Sequence, residues 1–136
     1  MTNNSIDVIV RFRVKRGKLE LYKEAMDFIL STAEAKEPYV LEYNVYNNAE
    51  GVYTQYERYA DEAGLHRHLE GTMDSQIKWA DAVEIEQVIV LGDMSEHFWN
   101  LYGNENTHGY SLFRKIKRWK LLAWPPDDFA RIFTSA

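Results

Sequence analysis

The chain contains no cysteine. Disulfides, a thiolate nucleophile and cysteine-based zinc or iron–sulfur sites are thereby excluded, which leaves function to oxygen, nitrogen and aromatic chemistry. Nowhere do eighteen apolar residues follow one another, and Met1 to Ser5 show no basic residue leading into an apolar run. Neither a membrane span nor a signal peptide is therefore indicated, and the expected location is cytoplasmic. A Gly-rich phosphate loop, a Gly-x-Ser-x-Gly elbow and a His-Glu-x-x-His pair are likewise missing, so nucleotide-binding, serine-hydrolase and zincin readings have no support.

What is present is the material of one domain and an appendage. The length of 136 residues is too short for two comfortable cores, and 46% apolar with 27% charged residues is a globular balance. The net charge of −5 is unevenly distributed: residues 1–92 hold ten Lys/Arg against sixteen Asp/Glu, whereas 93–136 hold six against five. Within 106–124 lie Arg114, Lys115, Lys117, Arg118 and Lys120 and no acid. A local run of this kind inside an acidic chain reads as a solvated helix face, so neither nucleic acid nor a membrane is expected as a partner.

Apolar spacing orders the elements. Ile6 to Val14 alternates with period two, the mark of a strand with one buried face. From Lys18 to Lys36 the residues Tyr22, Ala25, Met26, Ile29 and Ala33 recur at helical spacing until Pro38. Tyr39 to Asn47 alternates, with Tyr39, Leu41, Tyr43 and Val45 on one face, and the turn residues 47–51 lead into a strand from Val52 to Tyr59. Asp61 can cap a helix burying Leu65, His68 and Leu69; Gly71 interrupts it, and a second helical stretch follows over Ser75 to Ala82. The β-branched segment Val83 to Leu91 is a fourth strand closed by Gly92.

The order β-α-β-β-α-β predicts an α+β, ferredoxin-like split-βαβ domain over residues 1–92, with a four-stranded antiparallel sheet and both helices on one face. A spare face offering Ile9, Val88 and Val90 among charges predicts sheet-to-sheet pairing into a homodimer, a dimeric α+β barrel. Residues 93–136 hold nine of the nineteen aromatics, too many for a free linker, and are expected to pack on the domain or on the partner subunit. Leu112, Phe113, Ile116 and Trp119 fit one helical face, and Pro125-Pro126-Asp127-Asp128 a break before a capped short helix.

The segment from Tyr56 to Leu69, with Glu57, Tyr59, Asp61, Leu65 and His68 at the matching positions, resembles the signature of antibiotic-biosynthesis-monooxygenase domains. In these a strand ending in Glu-x-aromatic runs into an acidic cap, an apolar pair and a helix-borne His. With the element order, the resemblance covers about residues 5–92. It implies a dimeric ferredoxin-like fold and an enzyme without cofactor or metal, acting on a small phenolic, quinol or polycyclic aromatic compound. Many relatives carry a second His where this chain has Met73 and Trp where it has Tyr59. The Asn, Trp and His pattern of the haem-degrading branch is not matched.

His68 is the candidate acid–base residue, since a histidine can exchange a proton near neutral pH and helical phase turns this one toward the sheet. A hydrogen-bonded core histidine is the structural alternative. His66 falls on another helix face, so His-x-His is not a metal pair. Tyr43, Tyr59, Leu65 and Trp79 are the expected substrate contacts, with core packing as the alternative for aromatics at such spacing. Arg11, Arg13, Glu57, Glu84 and Glu86 are expected to form a cross-strand charge network on the face opposite the helices rather than a catalytic carboxylate pair. Three functions follow for comparison: a cofactor-independent monooxygenase-like enzyme, a non-catalytic dimeric binding or interaction domain, and an isomerase on the same fold.

Overall fold

The alternating segment Ile6–Val14 (β1) becomes the central strand of a single sheet in the computed structural model, which describes residues 4–115. Its even-numbered residues Ile6, Val8, Val10 and Phe12 are buried, and Arg11 and Arg13 project from the other side. Helix α1 (Leu19–Lys36) buries the expected stripe of Tyr22, Ala25, Met26, Ile29 and Ala33. Strands β2 (Val40–Asn47) and β3 (Tyr53–Tyr59) form the hairpin. Asp61 caps α2 (Glu62–Gly71), its Oδ1 accepting from the Gly64 N–H at 2.8 Å. Helix α3 (Met73–Ala82) starts two residues before the expected Ser75, and β4 (Val83–Leu91) has the expected bounds.

The sheet is larger than the sequence indicates. A short helix α4 (Glu96–Tyr102) carries the chain back so that β5 (Thr107–Tyr110) pairs parallel to β4, giving the strand order β2-β3-β1-β4-β5. The expected four-stranded antiparallel sheet is thus a five-stranded mixed one; a parallel neighbour needs a crossover, and α4 supplies it. Gly92 makes the exit from β4 at φ +126°, where a side chain would be strained and its Cβ would meet Ile6 Cδ1 at 2.7 Å. Residues 111–115 belong to no helix or strand, so Leu112 and Phe113 are not helical as expected, and Phe113 is 99% exposed. The remaining expected tail features, from Ile116 and Trp119 to the Pro125–Asp128 break, lie outside the described residues.

One core lies between the sheet and the helices. Val8, Val10, Phe12 and Val90 meet Met26 and Ile29 of α1, Leu65 of α2, Trp79 of α3 and Phe98 of α4. Phe12 is the centre of an aromatic cluster, 5.7 Å from Tyr22, 5.3 Å from Tyr53 and 5.2 Å from Trp79 between ring centroids.

A bulge corrects the expected faces. Arg11 lies opposite Gln87 and Phe12 opposite Ile85, so Glu86 is an extra residue in β4 and the alternation changes phase there. Val88 and Val90 consequently face Val10 and Val8 inside the core, and the apolar residues of the outer face are Ile9, Ile89 and Leu91. Of the expected charge network, Arg11 and Arg13 both bind Glu86, at 3.2 and 2.8 Å. Glu84 lies opposite Arg13 but has no ion pair among the described residues. Glu57 lies opposite Val8, on the helix side of the sheet, and does not belong to the network. The outer face instead holds a second pair, Arg58 forking onto both oxygens of Asp7 at 2.7 and 3.2 Å while the Tyr56 hydroxyl donates to Asp7.

Phe12→Ala should cost about 3–5 kcal/mol, the range for deleting a fully buried aromatic side chain. Urea unfolding followed by circular dichroism measures it, and a loss below about 1 kcal/mol would show that the cluster is not central to stability.

Candidate functional site

The residues selected from the sequence gather beneath the helix side of the sheet. His68 projects from α2 with no exposed surface, and its ring lies 5.7 Å from that of Tyr43 and 5.6 Å from that of Tyr59. Its Nδ1 is 2.7 Å from Oε1 of Glu37, a residue just past the end of α1 that is itself buried. The other Glu37 oxygen accepts from the Tyr39 hydroxyl at 3.0 Å. Nδ1 faces the carboxylate as a donor, and Nε2 lies 3.4 Å from the Gln76 amide nitrogen. Gln76 also donates to Thr72 Oγ1 at 3.1 Å.

A second buried carboxylate stands nearby. Period-two alternation puts Gln55, Glu57 and Tyr59 of β3 on the same inward face. The Tyr59 hydroxyl donates to Glu57 Oε1, and Gln55 Nε2 donates both to Glu57 Oε2 and to the Tyr43 oxygen at 2.8 Å. Burial pushes the Glu57 carboxyl above the ordinary carboxylate range, opposed in part by the Tyr59 and Gln55 hydrogen bonds and by the charge of His68. Burial and the negative field of Glu57 drive Tyr43 and Tyr59 well above the usual phenol value, so both remain protonated donors.

A cavity of about 250 Å³ opens beside this cluster, between the sheet and α2, α3 and α4. Val8, Val10, Leu65, Leu69, Val88, Val90 and Phe98 give it an apolar lining, and Tyr43, Gln55, Glu57, Gln76 and Trp79 give it polar groups. The exposed lining residues Ile85 and Asn104 mark its open side. Of the expected substrate contacts, Tyr43, Leu65 and Trp79 line the cavity; Tyr59 does not, but holds Glu57 from behind. His68 also stands behind the lining, reached through Gln76. A groove of about 930 Å³ runs elsewhere, between the ends of β1 and β4 and the segment 111–115, and includes neither His68 nor Glu57. Among the described residues, no group of three or more His, Asp or Glu side chains could hold a metal ion.

Sequence reasoning missed Glu37, Gln55 and Gln76, and assigned Glu57 to the wrong face. Alternation alone carried the signal for two of these, because Gln55 and Glu57 are four and two residues from Tyr59. Glu37 sits in a connection and gives no periodic signal.

No family model matches the chain, and no curated protein matches it in sequence. Solved structures do match its fold. MupZ from Pseudomonas fluorescens superposes with a TM-score of 0.71 at 20% identity, covering 85% of this chain and 96% of that one. SnoaB, a cofactor-independent oxygenase from Streptomyces nogalater, gives 0.55 at 10% identity over 68% and 95%. A proposed antibiotic biosynthesis monooxygenase from Nitrosomonas europaea gives 0.56 at 20% identity over 71% and 96%. The chain shares its fold with these proteins. At these identities the likeness is one of fold, and with MupZ it extends over a share of the chain that residues 1–92 alone cannot supply.

The position of Glu57 has a consequence for stability. Its proton is held more tightly in the folded chain than in the unfolded one, so its contribution is fully present below the ordinary value of about 4.3 and is lost as pH rises through the raised folded value. Glu57→Gln does not ionise and is spared that loss. The stability of the variant relative to wild type, from urea unfolding at a series of pH values, should therefore increase with pH above about 4.3 and then level off. A difference independent of pH would contradict the buried carboxyl.

Proposed function

We propose that the chain is a cofactor-independent monooxygenase-like enzyme acting on a small aromatic hydroxyl compound, with Glu57 as the proton acceptor. The observation that carries this reading is a buried carboxyl in the lining of an otherwise apolar cavity. An acid shifted upward by burial is suited to general acid–base work near neutral pH. The fold shared with SnoaB, itself a cofactor-independent oxygenase, supports the same reaction class.

In this mechanism Glu57 removes the phenolic proton. The resulting anion gives one electron to dioxygen, the substrate radical and superoxide combine at ring carbon to a peroxide anion, and the proton held by Glu57 returns to it to give the hydroperoxide. Loss of water then yields the quinone, so one oxygen atom enters the product and the other leaves as water. Redox chemistry resides in the substrate, and the protein supplies position, a base and exclusion of bulk water. Tyr59 and Gln55 orient the Glu57 carboxylate. His68 is a positioning residue: fixed by Glu37, it orients Gln76 at the lining, and its charge favours the ionised form of Glu57.

Turnover should rise with pH through the raised Glu57 value, because the carboxylate is the active form. Glu57→Gln should lower kcat by about 10²–10⁴-fold, the usual contribution of general-base catalysis, and abolish that limb. His68→Gln should retain the limb but move it to higher pH, because the charge that favours the carboxylate is removed. Oxygen uptake with a panel of phenols and hydroquinones measures both. An unaltered pH profile in both variants would remove this pair from the mechanism.

The complete burial of His68 favours a second reading, a binding domain in which the Glu37–His68 pair is structural. Saturable ligand binding without oxygen uptake by any compound of the panel would select it.

The outer sheet face is the proposed homodimer interface. The four helices among the described residues pack on the opposite side, leaving Ile9, Ile89 and Leu91 beside the Asp7–Arg58 and Arg11–Glu86–Arg13 pairs. Light scattering after gel filtration should give twice the chain mass, and Ile9→Asp with Ile89→Asp should give the monomer mass with helix content retained. A monomeric wild type would overturn the pairing.

A further inference from the structure

The cavity also restricts what can occupy it. We propose that its ligand is a neutral aromatic compound of one or two rings, carrying a hydroxyl that donates to Gln55 Oε1 and an oxygen that accepts from Trp79 Nε1. The inference rests on the reading of this cavity as the substrate site.

Size is the first argument. An apolar cavity of about 150 Å³ accommodates benzene, and pockets for drug-sized ligands begin at about 300 Å³. At about 250 Å³ the present one lies between, a volume filled by a substituted single ring or a fused pair, so that a four-ring compound would extend past the open side.

Charge is the second. Among the described residues, no Lys, Arg or His belongs to the lining, and the one acidic residue there is Glu57. A ligand carboxylate or phosphate would lose its hydration, find no cation and face a second acid, which is an expensive burial.

Unmet hydrogen-bonding capacity is the third. Gln55 and Trp79 both line the cavity and are 3% and 8% exposed. Yet Gln55 Oε1 and Trp79 Nε1 have no hydrogen-bond partner among the described residues. Buried polar atoms are satisfied in the great majority of cases, so an unsatisfied acceptor and an unsatisfied donor in one lining call for a ligand with the complementary pair. The Gln55 amide nitrogen is bonded to Glu57 Oε2 at 2.8 Å. A hydroxyl on Gln55 Oε1 is thereby placed beside the carboxyl proposed to receive its proton.

Anaerobic calorimetric titration separates binding from turnover. The probes are naphthalene, 1-naphthol, 1-hydroxy-2-naphthoate and 1-hydroxypyrene. Wild type should bind 1-naphthol one to one, and the carboxylated and four-ring compounds at least about tenfold more weakly. Trp79→Phe and Gln55→Leu should each weaken 1-naphthol by about three- to tenfold, the effect of one hydrogen bond, and leave naphthalene unchanged. The wild-type ranking decides the size and charge arguments even where a variant fails to fold. Equal or tighter binding of the hydroxynaphthoate or hydroxypyrene overturns the proposal, as do absence of 1-naphthol binding and equal losses for naphthol and naphthalene. The expected ranking without oxygen uptake supports the ligand class while removing the monooxygenase reading. Oxygen uptake restricted to a four-ring or anionic phenol retains the enzyme and overturns the ligand class.

Discussion

The Glu37–His68 hydrogen bond is the constraint around which the site is organised. It joins the end of α1 to the last turn of α2, and both partners are almost wholly removed from water. An isolated carboxylate there would be costly, and the cost is offset only because both oxygens are engaged, one by the imidazole and one by the Tyr39 hydroxyl. Once His68 is fixed, its ring fills the space between Tyr43 and Tyr59, and its second nitrogen meets Gln76 of α3. A single ion pair thus sets the relative positions of both helices, the β2–β3 hairpin and one side of the cavity.

The other side of the cavity comes from the register of the sheet. Val8 opposite Glu57 and Val10 opposite Gln55 place two polar residues of β3 next to apolar β1 on the inner face. The bulge at Glu86 then turns Val88 and Val90 inward to complete the lining, while giving Arg11 and Arg13 one shared carboxylate on the outer face. The addition of α4 brings Phe98 and Tyr102 over the same space. Gly109 in β5 allows close contact with the Trp99 ring, where a Cβ would stand 2.5 Å from the indole. The segment after β4 is therefore part of the domain that forms the cavity.

Much of this was legible before the fold was known, wherever period and packing coincide. The stripes of β1 and α1, the Asp61 cap and the inward turn of Leu65 and His68 follow from local spacing alone. Errors arose where local spacing is interrupted. The Glu86 bulge reverses the phase of β4, so an unbroken alternation assigns Val88 and Val90 to the outer face. The bulge between Val40 and Glu42 similarly leaves Leu41 exposed. Glu57 was misplaced for a different reason: it is two residues from Tyr59 and shares its face, but a charged residue opposite the Arg11 strand suggested an ion pair. Register, not charge type, decides the partner. Glu37 becomes significant only through tertiary contact.

Stability alone does not account for the interior that results. Replacing a buried ion pair by well-packed apolar residues is often neutral or stabilising, and a domain selected only for its fold has no use for an acid held above its ordinary range. Here two carboxylates, an imidazole, two phenols and two amides are concentrated on one side of an otherwise apolar core, and two polar atoms of the cavity-lining residues are left without partners among the described residues. The remaining core, from Phe12 through Met26 and Ile29, shows no such concentration. A cost concentrated beside one cavity, and absent from the equally buried packing next to it, supports the proposed site over a purely structural core. The same comparison distinguishes the roles of the two acids: Glu37 is fully satisfied and positions His68, whereas Glu57 lines the cavity and can meet a ligand.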